Sequence, residues 1–123
     1  MEIEEYFKQI IYHKINDFLD AKYVDNFDLC KQSVIVKDES IYIVNPAKFF
    51  KEITLEEDEH MQRSAKFLSI NSVLNKKTQR RRLDKILRSF IEIKISEIKD
   101  YIEKDEADEE FRLFEKSLDE IPF

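Results

Sequence analysis

The residues of this sequence with the clearest potential for chemistry are the basic side chains between Lys76 and Arg88. Arginine and lysine at this density bind phosphate oxygens or carboxylates, and arginine does so bidentately where the geometry allows. A single acid, Asp84, opposes them, although the whole chain carries a net charge of -6. The positive charge is therefore local, and it consists of Lys76, Lys77, Arg80, Arg81, Arg82, Lys85 and Arg88.

Three interpretations of this basic segment are compatible with the sequence. The side chains can neutralise nucleic-acid phosphates with little sequence preference, or they can pair with carboxylates of a partner protein. They can also form a solvated face beside the chain's own acids at 56–59 and 103–110. The net acidity argues against a dedicated DNA-binding protein, and no aromatic residue lies within 76–88 for base stacking. The acidic protein partner and the solvated face therefore both rank slightly above nucleic acid, and the leading hypothesis takes the acidic partner, with nucleic-acid contact as the alternative.

No other residues form a recognisable catalytic or metal-binding set. His13 and His60 lack a Cys or His partner at metal-ligand spacing, and Cys30 is the only cysteine, which predicts a packed residue rather than a nucleophile. The sequence contains no glycine, which excludes recognisable phosphate loops, dinucleotide fingerprints and nucleophile elbows. We therefore expect a protein that is not an enzyme and that has no cofactor and no metal.

The composition predicts one folded domain over residues 1–123. Hydrophobic residues make up 42% and charged residues 39%, which favours amphipathic helices over disorder. No apolar run approaches the ~20 residues of a transmembrane helix. The N-terminal residues 1–5 are acidic rather than basic and do not resemble a signal peptide. We therefore expect an intracellular protein, in the cytoplasm, nucleoid or nucleus, without membrane contact.

The apolar spacing predicts four main helices. They cover residues 3–19, residues 54–74 after a capping box at Thr54 and with Asn75 as terminator, residues 78–101 with Thr78 as N-cap, and residues 111–121 after an acidic connection. Two β-branched runs within 33–44 predict a hairpin, and Pro46 then begins a short helix through Phe50. The predicted fold is mainly α, a four-helix-type bundle with one small β-hairpin near 33–44.

The third predicted helix combines the basic segment with an apolar face. Its apolar residues recur at steps of three and four from Leu83 to Ile102. We predict that four of them pack in the core or against another subunit, namely Phe90, Ile91, Ile95 and Ile98. We predict that the basic side chains contact an acidic protein subunit or a second copy of the chain, through Arg80, Arg81, Arg82, Lys85 and Arg88.

The residues from Arg82 to Ile98 resemble the helical A-domain signature of GINS replication-factor subunits. The matching positions are Arg82, Leu83, Ile86, Leu87, Phe90, Ile91, Lys94, Ile95 and Ile98. Residues 109–114 resemble the acidic-then-Phe segment of that family, and Ile121-Pro122 resembles its exit toward a small β domain. GINS subunits are non-catalytic and assemble through long helices into a tetramer that joins the replicative helicase. The resemblance therefore implies a scaffold subunit of a DNA replication complex.

The leading hypothesis from the sequence is a non-catalytic helical assembly subunit that works through its interfaces. The alternative is a small nucleic-acid-binding accessory protein, or a viral regulatory protein, that uses the basic segment 76–88 directly.

Overall fold

The structure, a computed structural model, describes residues 2–20, 28–83 and 85–119. Side chains are described for these residues except residues 28 and 108–119. Several expectations fall outside the described part of the chain. These are the opposing acid at Asp84, the end of the closing helix at Ile121, the exit at Pro122 and the packing of the side chains in 111–118.

The chain forms helices and strands in a mixed order. Within the described residues the elements are α1 (Ile3–Asp20), α2 (Asp28–Ser33), β1 (Val34–Lys37), β2 (Ser40–Val44), α3 (Pro46–Leu55), α4 (Glu59–Ala65), α5 (Ile70–Leu74), β3 (Gln79–Leu83), β4 (Ile86–Lys94) and α6 (Ile95–Asp119). The strands make one antiparallel sheet in the order β1-β2-β4-β3. Both β1 and β3 are therefore edge strands, and β4 lies between β2 and β3.

The predicted mainly α bundle is wrong, because the chain has an α+β fold with a four-stranded sheet. The error lies in residues 78–101, where β3, a turn and β4 precede α6 instead of one basic helix. Ile91 and Ile93 pack in the main core while Phe90 packs in a second cluster, and all three are buried. A strand that is buried on both faces gives a continuous apolar run, which also satisfies helical spacing.

The two β-hairpins turn without glycine. The first lies within the predicted 33–44, with Lys37 opposite Ser40 across a two-residue loop. The second places Leu83 opposite Ile86. Asp38 in the first loop has a φ of 55°, and Lys85 in the second has a φ of 72°. Such loops usually carry Asn-Gly or Asp-Gly, so a glycine-free sequence lacks the signal that would reveal the second hairpin.

The prediction for the first helix is confirmed, since α1 covers Ile3–Asp20 and buries a stripe that includes Phe7, Ile11 and Ile15. The prediction of a capping box at Thr54 is wrong. Thr54 lies near the end of α3, where its hydroxyl donates to the Lys51 carbonyl oxygen at 2.7 Å. The helix that begins at Pro46 is thus longer than expected and runs to Leu55.

Two short helices replace the single helix predicted for 54–74. The side chain of Asp58 accepts from the Met61 backbone N–H at 2.9 Å and caps α4, while Ser69 caps α5. Asn75 ends α5 in the left-handed conformation, with φ of 53°, as the sequence predicts. Thr78 does not begin a helix, because β3 starts at the next residue.

The main core lies between the helices and one face of the sheet. Ile41, Ile43, Ile91 and Ile93 belong to the same buried cluster as residues of α1, α3, α5 and α6. These four isoleucines alternate along β2 and β4, as expected for strands that present one face to a helical layer. A smaller cluster of Tyr42, Leu83 and Phe90 lies on the other face.

The last helix packs against the first through polar as well as apolar contacts. The rings of Tyr12 and Tyr101 lie 4.6 Å apart between centroids, and Nε2 of His13 lies 2.8 Å from an Asp105 carboxylate oxygen. Lys99 donates to the side-chain oxygen of Asn16 at 2.7 Å. The acidic residues 103–110 lie within this helix rather than in a connection, so the expected separate closing helix at 111–121 is instead the continuation of α6 through residue 119.

Candidate partner-binding site

The predicted basic residues come together on the hairpin of β3 and β4. Arg80, Arg81 and Arg82 lie on the edge strand β3, Lys85 lies in the turn, and Arg88 lies on β4. We call these five residues the basic hairpin. Arg81 is directly opposite Arg88, while Arg80 pairs in register with Ser89. A strand pairing therefore gathers the charges that the sequence suggested would lie along one helix.

The alternation of the strand distributes the arginines over both faces of the hairpin. Arg81 and Arg88 share the face that carries Phe90, whereas Arg80 and Arg82 lie on the face of the helical layer. Arg80 and Arg82 are nevertheless exposed, because the helices do not cover this end of the hairpin. Cationic side chains are thus accessible on both faces of the basic hairpin.

Arg81 is held in place by its own chain. Its guanidinium carbon lies 5.3 Å from the centroid of the Phe90 ring, and its Nη2 lies 3.5 Å from an Oε1 of Glu92. The other oxygen of Glu92 accepts a hydrogen bond of 2.9 Å from the Ser40 hydroxyl. Stacking on an aromatic face together with an ion pair is a geometry that arginine supports better than lysine.

The remaining basic side chains have no carboxylate partner in the described part of the chain. Arg80, Arg82 and Lys85 are exposed and Arg88 is half-buried. Of the acids proposed as internal partners, Glu56 pairs with Lys14, Glu59 pairs with Arg63 and Asp105 contacts His13, while the side chains of residues 108–110 lie outside the described part of the chain. Among the side chains that the structure describes, the chain's own acids therefore pair with Lys76, through Glu97 at 2.8 Å, and with Arg81, but not with the other residues of the basic hairpin.

The arrangement of the hairpin charges is electrostatically unfavourable by itself. Arg81 and Arg88 occupy opposite positions in the register, and like charges at such positions destabilise a sheet. Positive charge on the edge strand β3 also discourages pairing with strands of other molecules. This protection alone would explain one or two of the arginines on β3. An anionic ligand would relieve the repulsion between Arg81 and Arg88, so the pair fits an anion-binding surface.

The apolar residues predicted for the core or for subunit packing lie inside the chain. The side chains of Phe90, Ile91 and Ile98 are completely buried, and Ile95 is half-buried against the main core. Of the two alternatives stated for them, packing in the core is the one that the structure shows. Ile91, Ile95 and Ile98 lie apart from the basic side chains, because Ile95 and Ile98 belong to α6 and Ile91 faces the helices. The Phe90 ring, in contrast, contacts Arg81 of the basic hairpin.

The sequence does not indicate the exposed apolar residues at the tip of the hairpin. Ile86 and Leu87 are 53% and 54% exposed, although helical spacing places them in a buried stripe. They follow Lys85 directly and precede Arg88, so apolar and cationic surface are adjacent. The signal that could have found them is a strand-turn-strand pattern around Lys85, which a glycine-free turn obscures.

Two further titratable side chains, Cys30 and Tyr12, are buried. Cys30 is buried in the main core, as the sequence predicts, and burial raises the pKa of its thiol to about 11. Burial also raises the pKa of Tyr12, whose hydroxyl lies 3.4 Å from Glu97. Over the residues that the structure describes, no group of three or more His, Cys, Asp or Glu side chains is arranged to hold a metal ion.

None of the helices within the described ranges has the length and apolar character needed to cross a membrane. Comparison of the chain with protein families, with curated proteins and with solved structures gave no match.

Proposed function

We propose that this chain is a non-catalytic interaction protein whose basic hairpin binds an acidic surface of a partner protein. The observation that carries this proposal is the combination, on one hairpin, of exposed cations that have no carboxylate partner in the described part of the chain with the half-exposed side chains of Ile86 and Leu87. Arginine and apolar side chains together are typical of protein interfaces, where apolar contact supplies affinity and charge selects the partner.

The charge distribution supports a partner that is acidic. The segment 79–94 carries six basic residues, at positions 80, 81, 82, 85, 88 and 94, against the acids Asp84 and Glu92. Carboxylates on a partner would pair bidentately with the arginines and offset the repulsion between Arg81 and Arg88. Exposed pairs contribute little each, so we expect the apolar tip to account for much of the affinity.

Nucleic-acid binding is the second candidate, since the same cations would neutralise phosphates. Proteins that bind single strands combine such cations with aromatic side chains for base stacking. Phe90 is the only aromatic residue in 76–94, and it is completely buried. The acidic net charge also opposes the approach of a polyanion. We therefore place the protein partner first.

The GINS-like identity remains a prediction from residue resemblance. It implies a helix over residues 82–98, whereas these residues form the end of β3, the turn, β4 and the first turn of α6. The proposal of an assembly protein does not depend on that resemblance, because it rests on the exposed charges and apolar side chains of the hairpin.

Charge reversal tests this proposal. The triple variant Arg80→Glu, Arg82→Glu, Lys85→Glu changes three exposed residues without a carboxylate partner in the described chain. The matched control, Lys31→Glu, Lys48→Glu, Lys104→Glu, makes the same change in net charge at exposed positions outside the hairpin. Both variants should keep the unfolding temperature within a few degrees of the wild type.

The readouts are affinity capture of proteins from the native host and fluorescence anisotropy with duplex and single-stranded DNA. We expect the wild type and the control to capture the same acidic protein, and the hairpin variant to lose it. We expect little DNA affinity near physiological salt. Strong DNA binding that falls steeply with salt, and that only the hairpin variant loses, would replace the proposal with the nucleic-acid alternative.

A further inference from the structure

A second surface of the molecule, remote in sequence from the hairpin, has the character of a docking groove. An open groove with a volume of about 350 Å³ lies between helices α3 and α4. Its apolar walls are formed mainly by Phe50, Leu55, Ala65 and Leu68. This volume is at the lower end of the range of about 300–1,000 Å³ for ligand pockets, which suits a few side chains of a bound segment.

Large apolar side chains are exposed at this groove. Leu55, which lines it, is 60% exposed. Phe67 does not line the cavity itself but lies in sequence between the lining residues Lys66 and Leu68, and it is 91% exposed. An exposed apolar side chain at a concave surface, such as Leu55, is a feature of interaction sites.

The charged groups at the groove are all positive. Lys51 and Lys66 line it, no acidic residue lines it, and neither lysine has a carboxylate partner in the described part of the chain. The polar lining residues use their donors internally, since Thr54 donates to the Lys51 carbonyl oxygen and Gln62 donates to the Glu57 carbonyl oxygen, both at 2.7 Å. The groove thus offers apolar surface and two exposed cations, and it complements an apolar segment that carries carboxylates.

We propose that this groove binds an acidic amphipathic segment of a partner protein, with large apolar side chains between α3 and α4 and flanking carboxylates on Lys51 and Lys66. An amphipathic helix fits such a groove, because apolar side chains at steps of three and four residues can enter the cavity while carboxylates beside them reach the lysines. This site uses none of the residues of the basic hairpin, so it goes beyond the proposed function and can be tested separately.

The test uses defined peptides and the full chain. The probe is a fluorescein-labelled peptide of about 15 residues, long enough to form a helix, with Leu and Phe at steps of three and four and Glu at the remaining positions. One control peptide replaces Glu by Lys, and a second has the same composition in scrambled order. We expect saturable binding of the acidic amphipathic peptide by fluorescence anisotropy, and no saturable binding of either control.

Paired variants locate the binding site. Lys51→Glu with Lys66→Glu should reduce the affinity at least about tenfold and remove its salt dependence, whereas Lys31→Glu with Lys104→Glu should leave it unchanged. Leu55→Ser with Phe67→Ser should likewise abolish binding, while Val36→Ser, a change at a 47% exposed residue on β1, should not. All these positions are exposed, so the variants should fold, and circular dichroism checks that they do.

Three results would overturn the proposal. The first is absence of saturable binding of the acidic peptide, and the second is binding that the groove variants retain. The third is concentration-dependent dimerisation in light scattering that the groove variants abolish, because it would assign the groove to a second copy of the chain. Backbone amide shifts on peptide addition that are confined to α3, α4 and residues 66–68 would support it.

Discussion

Replacing Lys85 by glycine distinguishes the hairpin from a helix by the sign of its effect on stability. Lys85 has φ of 72° in the turn between β3 and β4. A residue with a side chain costs about 1–2 kcal/mol in the left-handed region, and glycine removes that cost. Glycine also raises the entropy of the unfolded chain, which costs about 0.5–1 kcal/mol. The net expectation is a gain of about 0.7 kcal/mol in the free energy of unfolding.

A helix over 78–101 would give the opposite result, since glycine inside a helix costs about 1 kcal/mol relative to alanine. The assay is urea unfolding followed by circular dichroism, where the expected gain raises the midpoint by about 0.3 M at a slope of about 2 kcal/mol/M. Lys85 is exposed and has no ion pair in the described chain, so loss of its side-chain contacts should change the free energy of unfolding little.

Two matched variants complete this test. Asp38→Gly changes the equivalent loop residue of the first hairpin, with φ of 55°, and should also stabilise the protein. Lys77→Gly changes an exposed lysine that is not among the residues with positive φ, and it should destabilise the protein by about 0.5–1 kcal/mol. If Lys85→Gly lowers stability as much as Lys77→Gly does, the assignment of the turn is refuted.

Three further predictions concern the core, the anchored arginine and pH. Ile98→Ala should cost about 2–5 kcal/mol in urea unfolding because Ile98 is completely buried, and a loss below about 1 kcal/mol would contradict its place in the core. Arg81→Ala should cost about 1 kcal/mol through loss of the Phe90 and Glu92 contacts, whereas Arg82→Ala should stay within about 0.5 kcal/mol; equal costs would contradict the anchoring. Burial raises the pKa of the Cys30 thiol from 9.0 to about 11, so between these pH values the folded state binds more protons than the unfolded chain. The free energy of unfolding should therefore fall as the pH rises from 9 to 11. Urea midpoints at pH 8 and pH 10 measure this decline, and the decline should be smaller for Cys30→Ala, with equal declines contradicting the burial of the thiol.

The elements that the sequence predicts correctly are those with one unambiguous period. In α1 the apolar residues Phe7, Ile11 and Ile15 recur every four positions and are buried, so helical spacing identifies the element and its bounds. In the first hairpin the β-branched runs are short and flank a polar link, which fits no helix. Asn75 ends its helix because asparagine tolerates a left-handed conformation better than most residues do.

The second hairpin could not be predicted because two local signals are missing at once. Strand β4 is buried on both faces near Phe90 and Ile91, so it lacks the alternation of a half-buried strand. The turn at Lys85 adopts a positive φ without glycine, so nothing in the sequence marks it. The pairing of β4 with β2, which joins Ile43 to Ile91, is a long-range contact that single-sequence periodicity does not encode.

The basic surface was predictable in its residues but not in its shape. Arg80, Arg82 and Lys85 are exposed and without a carboxylate partner in the described chain, and their density in the sequence points to them. Their distribution over two faces follows from the register with β4 and is invisible before the fold is known. The groove at Leu55 and Leu68 depends on the packing of α3 against α4, for which the sequence offers no periodic signal.

Site-specific photo-crosslinking at the tip of the hairpin tests the proposed function most directly. A photoreactive phenylalanine analogue in place of Ile86, which is 53% exposed, would trap whatever contacts the hairpin in native host cells, and the same analogue in place of Val36 is the control. We predict covalent adducts at position 86 with one acidic protein, absent at position 36 and lost when Arg80, Arg82 and Lys85 are changed to Glu. Adducts with nucleic acid at position 86, or the same adducts at both positions, would contradict the proposal.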